Sequence, residues 1–462
     1  MNCSDALTRL ENETSALINS GAVNNFDKLF DDGNFTVLDK FQRSSKGECE
    51  VHTAFGYISG CPSYAYYQDI NLSYGAMGRM QAKKIKRIYD LAADNGMPVI
   101  AVFDSNGAHI DESIDALNAY GELISAASSL SGVVPQISVI AGTCIGSAAI
   151  LASISDFSIV LKDSEFYVNS PNILGDNGGF IGSGENAYNN GNASFCVNNV
   201  AEAFDTVKNI MAYLPQNNLE QTPIFDSISN ELVDNGSALN IIKSSVDSGS
   251  LLITFSGYAN DIITGFARVH GRSVGIISTD SDNAVISSDG AIKAAKMVRF
   301  CDAFSIPVIS FVNCKGFLGK LEDEKYGYVK SVATLAHAYA EATTPKISII
   351  TGYAIGTGFV AFCSGDSNDF VYALPCAKIG TLTASCAVEL FKKDELKAGA
   401  NRKELEASYE DDECSPFIAA GFGYVNDVFA LEEAREKLNF ALSMLSGKRV
   451  NTLNKKHSNL PF

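Results

Sequence analysis

Two short phrases of the sequence combine residue types that could bind an anion. Residues 135–150 read PQISVIAGTCIGSAAI, and residues 345–360 read PKISIITGYAIGTGFV, so one pattern occurs twice. In each phrase a β-branched run leads into a Gly-x-x-Ile-Gly turn and then into small residues. This order predicts a strand followed by a helix, whose first N–H groups have no intrahelical acceptor. Such N–H groups could stabilise a developing oxyanion.

The candidate oxyanion-binding residues lie at these two turns. They are Gly146 and Ser147 in the first turn, and Gly356, Thr357 and Gly358 in the second. Small residues at a helix start are also common where a helix packs closely on a strand, so packing is the alternative explanation for each turn. The recurrence of the whole strand and turn favours the oxyanion-binding interpretation and predicts two such sites on one chain.

The elements that must position these turns are also repeated. Residues 81–107 and 291–316 each show a helical apolar spacing, then a Pro-containing break and a short apolar run, PVIAVF or PVISFV. A second helix is predicted at 115–128 and at 329–342, directly before each repeated phrase. Alternating helices and continuous apolar strands indicate an α/β fold with parallel sheets covered by helices.

Length and turn chemistry divide the chain into two domains. A chain of 462 residues is long enough for several domains, and a polar cluster at 217–221 is typical of a linker. We therefore predict domains at 1–230 and 231–462. An amphipathic helix is expected at each end of the chain, and the N-terminal one has no apolar run typical of a signal peptide.

Charge and cysteine content exclude several function classes. The chain has 35 Lys and Arg and 53 Asp and Glu, which gives a formal charge of -18. This acidic balance argues against binding to nucleic acid or anionic membranes. The 11 cysteines are scattered without a C-x-x-C pair, so we expect no metal site and a cytoplasmic location. Residues 137–154 are the most apolar stretch, but their Ser, Thr and Gly content favours a buried strand and helix over a membrane span.

Several longer stretches, taken in order, resemble one protein family. They are FDKLFDDGNFTVLD, AKKIKRIYDLA, FDSNGAHIDE, GVVPQISVIAGTCIGSAAIL, GFARVHGRSVGII, KMVRFCDAFSIPVISFV and KKHSNLPF. Nearly the whole chain is similar to the carboxyltransferase component of biotin-dependent acyl-CoA carboxylases, of the propionyl-CoA carboxylase β and methylmalonyl-CoA decarboxylase α type. The resemblance implies two tandem crotonase-like domains of the ββα-superhelix type.

The same resemblance implies an enzymatic function. A carboxyl group would move between N1 of biotin, carried on a separate protein, and the α-carbon of a short-chain acyl-CoA of the acetyl or propionyl class. Residues 1–230 would bind the acyl-CoA and hold its enolate oxygen at Gly146 and Ser147. Residues 231–462 would hold the biotin ureido oxygen at the second turn. The family forms homohexamers, as a dimer of trimers, in which the N-domain of one protomer faces the C-domain of another.

The implied partners are a biotin carboxyl carrier protein and either a biotin carboxylase or the membrane subunits of a decarboxylase. Two alternatives stay open. The chain could be the α subunit of a biotin-dependent decarboxylase that runs the transfer in reverse. It could also be a non-catalytic acyl-CoA-binding scaffold.

Further substrate-binding residues follow from the resemblance. Arg79, Lys83 and Lys84, beside the Gly-rich stretch SYGAMGRM, are candidate cations for the CoA phosphates; the alternative is that the lysines form a solvated helix face. The other candidates are Gly75, Ala108, Phe317, Phe359 and Val360.

The chain departs from the family pattern at several places. Asn106 replaces a glycine and His109 an arginine, while Ser147 and Thr357 each replace a glycine of the turns. A lone His is more often part of the scaffold than a base, so His109 is not a predicted catalytic residue. The Gly- and Asn-rich residues 172–193 are expected to be remodelled or mobile.

Overall fold

The computed structural model describes residues 3–18, 21–44, 47, 50–176, 179–230, 232, 236–280, 283–317, 324–325 and 327–461. It divides into two compact units, Met1–Thr222 and Pro223–Phe462. Each unit contains a mixed, largely parallel sheet covered by helices.

The sheet of the first unit has the strand order β1-β2-β3-β4-β5-β6-β8, and β7 pairs with the far end of β5. The first three strands are antiparallel, and the pairs from β3 to β8 are parallel. The strands are β1 Phe35–Leu38, β2 Val51–Ile58, β3 Cys61–Gln68, β4 Val99–Ser105, β5 Gln136–Ile145, β6 Phe157–Leu161, β7 Glu165–Tyr167 and β8 Phe195–Val197.

The sheet of the second unit has the corresponding order β18-β16-β15-β13-β11-β10-β9, and β17 pairs with the far end of β15. A separate short pair joins β12 and β14. The strands are β9 Leu252–Thr254, β10 Ile262–Val269, β11 Arg272–Thr279, β12 Val285–Ile286, β13 Val308–Cys314, β14 Gly316–Phe317, β15 Lys346–Ile355, β16 Phe370–Ala373, β17 Lys378–Gly380 and β18 Asp427–Val428.

Helices connect and cover the strands of both units. In the first unit they are α1 Cys3–Ile18, α2 Gly21–Leu29, α3 Arg79–Asn95, α4 Ile114–Leu130, α5 Ser147–Ser153, α6 Gly184–Asn189 and α7 Val200–Met211. In the second they are α8 Ala238–Ser245, α9 Ser288–Ala303, α10 Tyr328–Glu341, α11 Thr357–Cys363, α12 Ala384–Phe391, α13 Lys393–Lys397, α14 Arg402–Glu413, α15 Pro416–Gly421 and α16 Ala434–Leu445. Among the described residues, no helix is both long and apolar enough to span a membrane.

The predicted amphipathic helices form because their apolar faces are buried against the sheets. Ile85 and Ile88 of α3 and Leu123 of α4 are fully buried in one cluster with Phe103 of β4. Burying such side chains contributes about 1.5–3 kcal/mol each. The helix packing thus holds β4 and β5, and the turn that follows β5, in fixed positions.

The two units repeat a backbone irregularity beside the quoted turns. The pairing of β4 with β5 shifts register between Phe103 and Ser105, and the pairing of β13 with β15 shifts between Val312 and Cys314. At each shift a side chain caps the neighbouring strand: Asp104 Oδ1 accepts from the Thr143 N–H (3.0 Å), and Asn313 Oδ1 accepts from the Tyr353 N–H (2.9 Å). Bulges of this kind redirect strand ends and often border functional sites.

The division between the units falls eight residues before the predicted boundary at 230, since the first unit ends at Thr222. The reason is that the segment after Thr222 pairs with the second sheet. Ile224 forms a β-bridge with Arg272, and the Phe225 N–H donates to the Gly271 carbonyl (3.0 Å). A polar composition marked the linker, but only the pairing shows to which unit it belongs.

The Gly- and Asn-rich residues 172–193 contain regular structure. They include α6, whose start is capped by the Ser183 hydroxyl, which accepts from the Asn186 N–H. The segment is tied to the sheet because the Gly184 N–H donates to the Ser164 carbonyl (2.8 Å). Residues 177 and 178 of this segment lie outside the described residues.

Candidate active site

The first turn has a backbone conformation that requires glycine. Gly146 joins β5 to α5 with φ 60° and ψ −124°, a region in which residues with a Cβ are strained. Its own N–H donates to the Tyr167 carbonyl of β7 (2.9 Å) and is therefore not available to a ligand. The next two N–H groups, of Ser147 and Ala148, begin the helix and have no intrahelical acceptor.

The second turn has nearly the same geometry. Gly356 joins β15 to α11 with φ 52° and ψ −121°, and its N–H donates to the Gly380 carbonyl of β17 (2.9 Å). The N–H groups of Thr357 and Gly358 therefore begin α11 in the positions that Ser147 and Ala148 hold in α5. The sequence repeat thus reflects a repeat of the donor geometry.

Ser147 and Thr357 are compatible with this geometry. Both occupy the first position of their helix and have a negative φ, which any L-residue can adopt. Replacing a glycine at this position adds a hydroxyl-bearing side chain and leaves the N–H donor in place.

Gly358 is a glycine for a different reason, which is close packing. A Cβ at this position would lie 2.7 Å from the Cys314 Sγ and 3.0 Å from the Cys314 carbonyl oxygen. In the first unit the corresponding residues are Ser105 and Ala148, so a smaller side chain stands opposite a residue with a Cβ. The packing explanation considered from the sequence therefore applies to Gly358, whereas Gly146 and Gly356 are set by φ.

The loop after β4 carries another N–H donor beside the first turn. The Met77 N–H donates to the Gly107 carbonyl (2.8 Å), and the His109 N–H donates to the Met77 carbonyl (2.7 Å). Because successive peptide groups of an extended chain point to opposite sides, the N–H of Ala108 points away from Met77. A Cβ on Gly107 would lie 3.5 Å from the Ile145 carbonyl oxygen, so this loop borders the start of the turn. Ala108 was predicted as a substrate contact, and its N–H is a candidate donor for the same oxyanion.

Comparison with known proteins identifies the family. The carboxyl transferase domain model matches residues 19–460. The chain belongs to the carboxyl transferase family. It is 35% identical over 472 residues to the methylmalonyl-CoA decarboxylase subunit alpha of Veillonella parvula, covering 94% of this chain and 92% of the relative. It is 34% identical over 438 residues to the methylmalonyl-CoA carboxyltransferase 12S subunit of Propionibacterium freudenreichii subsp. shermanii, covering 89% and 84%.

A solved structure supports the same assignment. The transcarboxylase 12S subunit, solved as a hexamer assembly with methylmalonyl-coenzyme A and methylmalonic acid bound, aligns with a TM-score of 0.94 and 30% identity over the full length of both chains. The predicted α/β fold with two crotonase-like domains is confirmed, and the chain is a carboxyltransferase.

The loop before α3 packs closely on the end of β4 in this carboxyltransferase. A Cβ at Gly75 would lie 2.2 Å from the Asp104 carbonyl oxygen, so this position requires glycine. The two residues before it, Ser73 and Tyr74, have φ values of 45° and 59°. Residues other than glycine are strained in the left-handed region of φ and ψ, and such strain is often found in binding loops. Gly75 therefore shapes a loop whose backbone touches β4, and the prediction that it contacts substrate remains a prediction.

The predicted CoA-binding cations do not form one patch. Lys84 is buried, with 2% of its surface exposed, and its ammonium donates to the Val51 carbonyl (2.8 Å). The structure therefore contradicts both a surface binding role and a solvated face for Lys84. Lys83 is exposed, and Arg79 is exposed with its guanidinium 3.8 Å from Asp115. These two remain candidates for the CoA phosphates.

A carboxylate that the sequence analysis did not identify occupies the start of α3. Glu112 Oε2 accepts from the Arg79 N–H (2.6 Å), and a Cβ on Gly78 would lie 2.6 Å from both carboxylate oxygens. Carboxylates are stabilised at helix N-termini. A CoA phosphate at the start of this helix would meet the carboxylate of Glu112. The prediction for Arg79 and Lys83 therefore concerns their exposed side chains and not the N–H groups of the helix start.

The apolar substrate candidates lie beside the second turn. Phe317 ends β14, and its ring contacts the ring of Tyr328 edge to face at 6.2 Å between centroids. Phe359 is half-buried in α11, and Val360 is 61% exposed. Ile150, which holds the position of Val360 in the first unit, is also exposed, and the sequence analysis did not identify it. Each turn is therefore followed by an accessible apolar side chain.

His109 is buried, as expected for a scaffold residue. Its side chain is 6% exposed, and its Nδ1 has no hydrogen-bond partner in the part of the chain that the structure describes. Within those same residues no cluster of His, Cys, Asp or Glu could hold a metal ion.

Proposed function

We propose that this carboxyltransferase moves a carboxyl group between carboxybiotin on a carrier protein and the α-carbon of a short-chain acyl-CoA. Among the acetyl and propionyl classes, the names of the relatives favour the propionyl-CoA and methylmalonyl-CoA pair. The observation that carries the proposal is the duplicated turn. In each unit it presents two N–H donors that have no intrahelical acceptor, after a glycine with nearly identical φ and ψ.

The proposed chemistry has one oxyanion for each turn. The first turn, with the N–H groups of Ser147, Ala148 and Ala108, stabilises the enolate oxygen of the thioester. The second turn, with the N–H groups of Thr357 and Gly358, stabilises the ureido oxygen of biotin. Fixed N–H donors aimed at a developing charge are often the largest contribution to catalysis.

The proposed reaction needs no nucleophilic side chain. The bond between biotin N1 and the carboxylate carbon breaks, CO2 leaves, and the electron pair remains on the ureido group. N1 then takes the α-proton of the acyl-CoA, and the resulting enolate attacks CO2. The reverse sequence uses the same donors, so the turns are equally suited to a carboxylase and to a decarboxylase.

The assembly and partners are also proposed. A homohexamer, as a dimer of trimers, is supported by the hexamer assembly of the transcarboxylase 12S structure. The acyl-CoA would bind the first unit of one protomer and biotin the second unit of another. A biotin carboxyl carrier protein would deliver biotin, and either a biotin carboxylase or the membrane subunits of a decarboxylase would complete the cycle.

The test is transfer of carboxylate from methylmalonyl-CoA or malonyl-CoA to biocytin, with each CoA product followed separately. Two variants isolate the N–H donor at the first turn. Ser147→Pro deletes the donor at the first helical position, where proline is tolerated because its φ is already helical. Ser147→Ala removes only the hydroxyl and is the matched control.

We expect Ser147→Pro to lower the transfer rate about 100-fold to 1000-fold, as for loss of one oxyanion donor. Ser147→Ala should stay within about threefold of the wild type, since the N–H donor remains. Equal loss in both variants would argue against an N–H donor role. Binding of both CoA esters by the wild-type protein without transfer would instead support the non-catalytic scaffold.

A further inference from the structure

The second turn is bordered by a lysine whose main chain is fixed on both sides. Lys315 connects β13 to β14, and the residue before it, Cys314, lies against Gly358 of the turn. The Lys315 N–H donates to the Ala284 carbonyl (2.6 Å). The side chain of Lys315 therefore starts from a defined point next to the N–H donors of α11.

An aromatic ring holds the ammonium of this lysine. Lys315 Nζ lies 4.0 Å from the centroid of the Tyr353 ring, a distance typical of a cation–π contact. Tyr353 lies three positions before Gly356 in the strand that leads into the turn. Its N–H is bound by Asn313, and its hydroxyl lies 3.4 Å from Glu410 Oε1, so the ring itself is fixed. Within the described ranges Lys315 forms no ion pair that would neutralise it.

The first turn has the same backbone without this charge. Asn106 holds the position of Lys315, since its N–H donates to the Tyr74 carbonyl (3.0 Å) as that of Lys315 donates to Ala284. Thr143 holds the position of Tyr353, and its hydroxyl donates to Glu165 Oε2 (3.1 Å). In both units the hydroxyl at this strand position contacts a glutamate, Glu165 in the first and Glu410 in the second. The repeat differs in one charge, because the second turn has the ammonium of Lys315 where the first has the neutral Asn106.

This asymmetry matches the two ligands of the proposed reaction. In the carboxylation direction the acyl group of the thioester is neutral until its enolate forms, whereas carboxybiotin arrives with a carboxylate and leaves negative charge on its ureido group. A full positive charge strengthens hydrogen bonds to an anion relative to neutral N–H donors. The ammonium of Lys315 therefore favours an anionic ligand at the second turn, whereas Asn106 adds no charge at the first.

We propose that Lys315 is a catalytic residue of the second turn, whose ammonium binds the carboxylate and then the ureido anion of biotin while the carboxyl group is transferred. This assignment rests on the proposed function. Lys315 donates hydrogen bonds and keeps its protons throughout, so the proton taken from the acyl-CoA still goes to biotin N1. Tyr353 is a positioning residue that holds the ammonium in place.

The test uses the full-length chain with methylmalonyl-CoA as donor and biocytin as acceptor. Lys315→Met removes the charge at nearly constant length, and Lys315→Arg keeps the charge. Lys296→Met is the matched control, because Lys296 of α9 also lies over an aromatic ring, that of Phe255, at 4.6 Å. Tyr353→Leu leaves the lysine and removes the ring that holds it.

We expect Lys315→Met to lower kcat/KM for biocytin about 10-fold to 100-fold, the range for a lost charged hydrogen bond, with KM for methylmalonyl-CoA within about twofold of the wild type. Lys315→Arg should recover most of the activity, and Lys296→Met should match the wild type. Tyr353→Leu should raise KM for biocytin and serves as the deciding variant if Lys315→Met does not fold.

Three negative results would separate the role of Lys315 from the proposed function. Activity of Lys315→Met within about threefold of the wild type would overturn the assignment of Lys315 and leave the proposed function standing, since one charged hydrogen bond is worth more than that. Equal losses in Lys315→Met and Lys315→Arg, with equal decreases in unfolding temperature, would assign Lys315 a purely structural role. Absence of transfer by the wild type would overturn the proposed function and this assignment with it.

Discussion

Substitution of Gly358 by alanine tests whether packing, rather than backbone conformation, selects glycine at the second turn. The added Cβ would lie 2.7 Å from the Cys314 Sγ and 3.0 Å from its carbonyl oxygen. Both atoms belong to the end of β13, which is buried and cannot move without disturbing its pairing with β15. The first unit has alanine at the corresponding position 148, and it has Ser105 where the second unit has Cys314.

The magnitude follows from overpacking of a buried contact. Such contacts cost about 1–3 kcal/mol in the free energy of unfolding, and about 1 kcal/mol lowers the unfolding temperature of a domain of this size by roughly 2–4 °C. Gly358→Ala should therefore unfold at a clearly lower temperature. The double variant Gly358→Ala with Cys314→Ser places the residue types of the first unit here and should recover part of the loss, because the close contact with Sγ is relieved while that with the carbonyl oxygen remains.

The assay is thermal and urea unfolding of the wild type, both single variants and the double variant. Residues in contact show interaction free energies of about 0.5–3 kcal/mol in such a cycle. Gly358→Ala should also lower carboxyl transfer to biocytin, and the double variant should restore it if the turn regains its position. Strictly additive effects of the two substitutions would refute the packing explanation for Gly358.

Three further predictions concern buried ionisable groups of the first unit. Burial lowers the pKa of His52 from 6.5 to about 4. Unfolding therefore takes up a proton below pH 6.5, and the free energy of unfolding falls as the pH is lowered. In urea titrations, His52→Gln should remove about 2 kcal/mol of the decrease in the free energy of unfolding between pH 7 and pH 5. Burial raises the pKa of Asp104, so its charge costs stability at neutral pH. Because Asn313 makes the same bond in the second unit, Asp104→Asn should raise the unfolding temperature at pH 7 and have a smaller effect at pH 5; a lower unfolding temperature at pH 7 would contradict this. Lys84→Met removes the buried hydrogen bond from the ammonium to the Val51 carbonyl and should cost about 1–3 kcal/mol in urea unfolding, with KM for acyl-CoA unchanged. A large rise in that KM would restore Lys84 as a substrate contact.

The fold could be predicted from the sequence because its signals are local and repeated. The apolar spacing of α3 and α9 and the continuous apolar runs of β4 and β13 follow from burial on one face or on both faces of an element. The helix predicted at 115–128 is α4, Ile114–Leu130. The family was also evident, because long stretches such as FDSNGAHIDE keep their order along the chain.

The candidate site could be predicted only in part. The Gly-x-x-Ile-Gly phrase located both turns, because a strand-to-helix junction of small residues is visible in the letters. The division of roles within each turn was not visible. Only hydrogen-bond partners show that the N–H of Gly146 is already used by Tyr167, and only interatomic distances show that Gly358 is glycine because of Cys314.

The lysines illustrate the same limit. Lys83 and Lys84 are neighbours in sequence, but on a helix successive residues face directions about 100° apart. Lys83 is therefore exposed, while Lys84 points under β2 and binds a carbonyl. The sequence analysis did not identify Lys315, because the ring that holds its ammonium belongs to Tyr353 of the neighbouring strand.

The sequence by itself determined the two-fold repeat, the α/β elements and the positions of the two turns, since each depends on residues that are close along the chain. The tertiary structure decided which N–H groups of the turns already have a partner, which glycines are set by φ and which by packing, and where charge lies beside each turn. Those properties depend on atoms from strands far apart in sequence, as when β7 binds Gly146 or β15 brings Tyr353 to Lys315. Spacing along the chain cannot show such contacts, because they exist only once the sheet has formed.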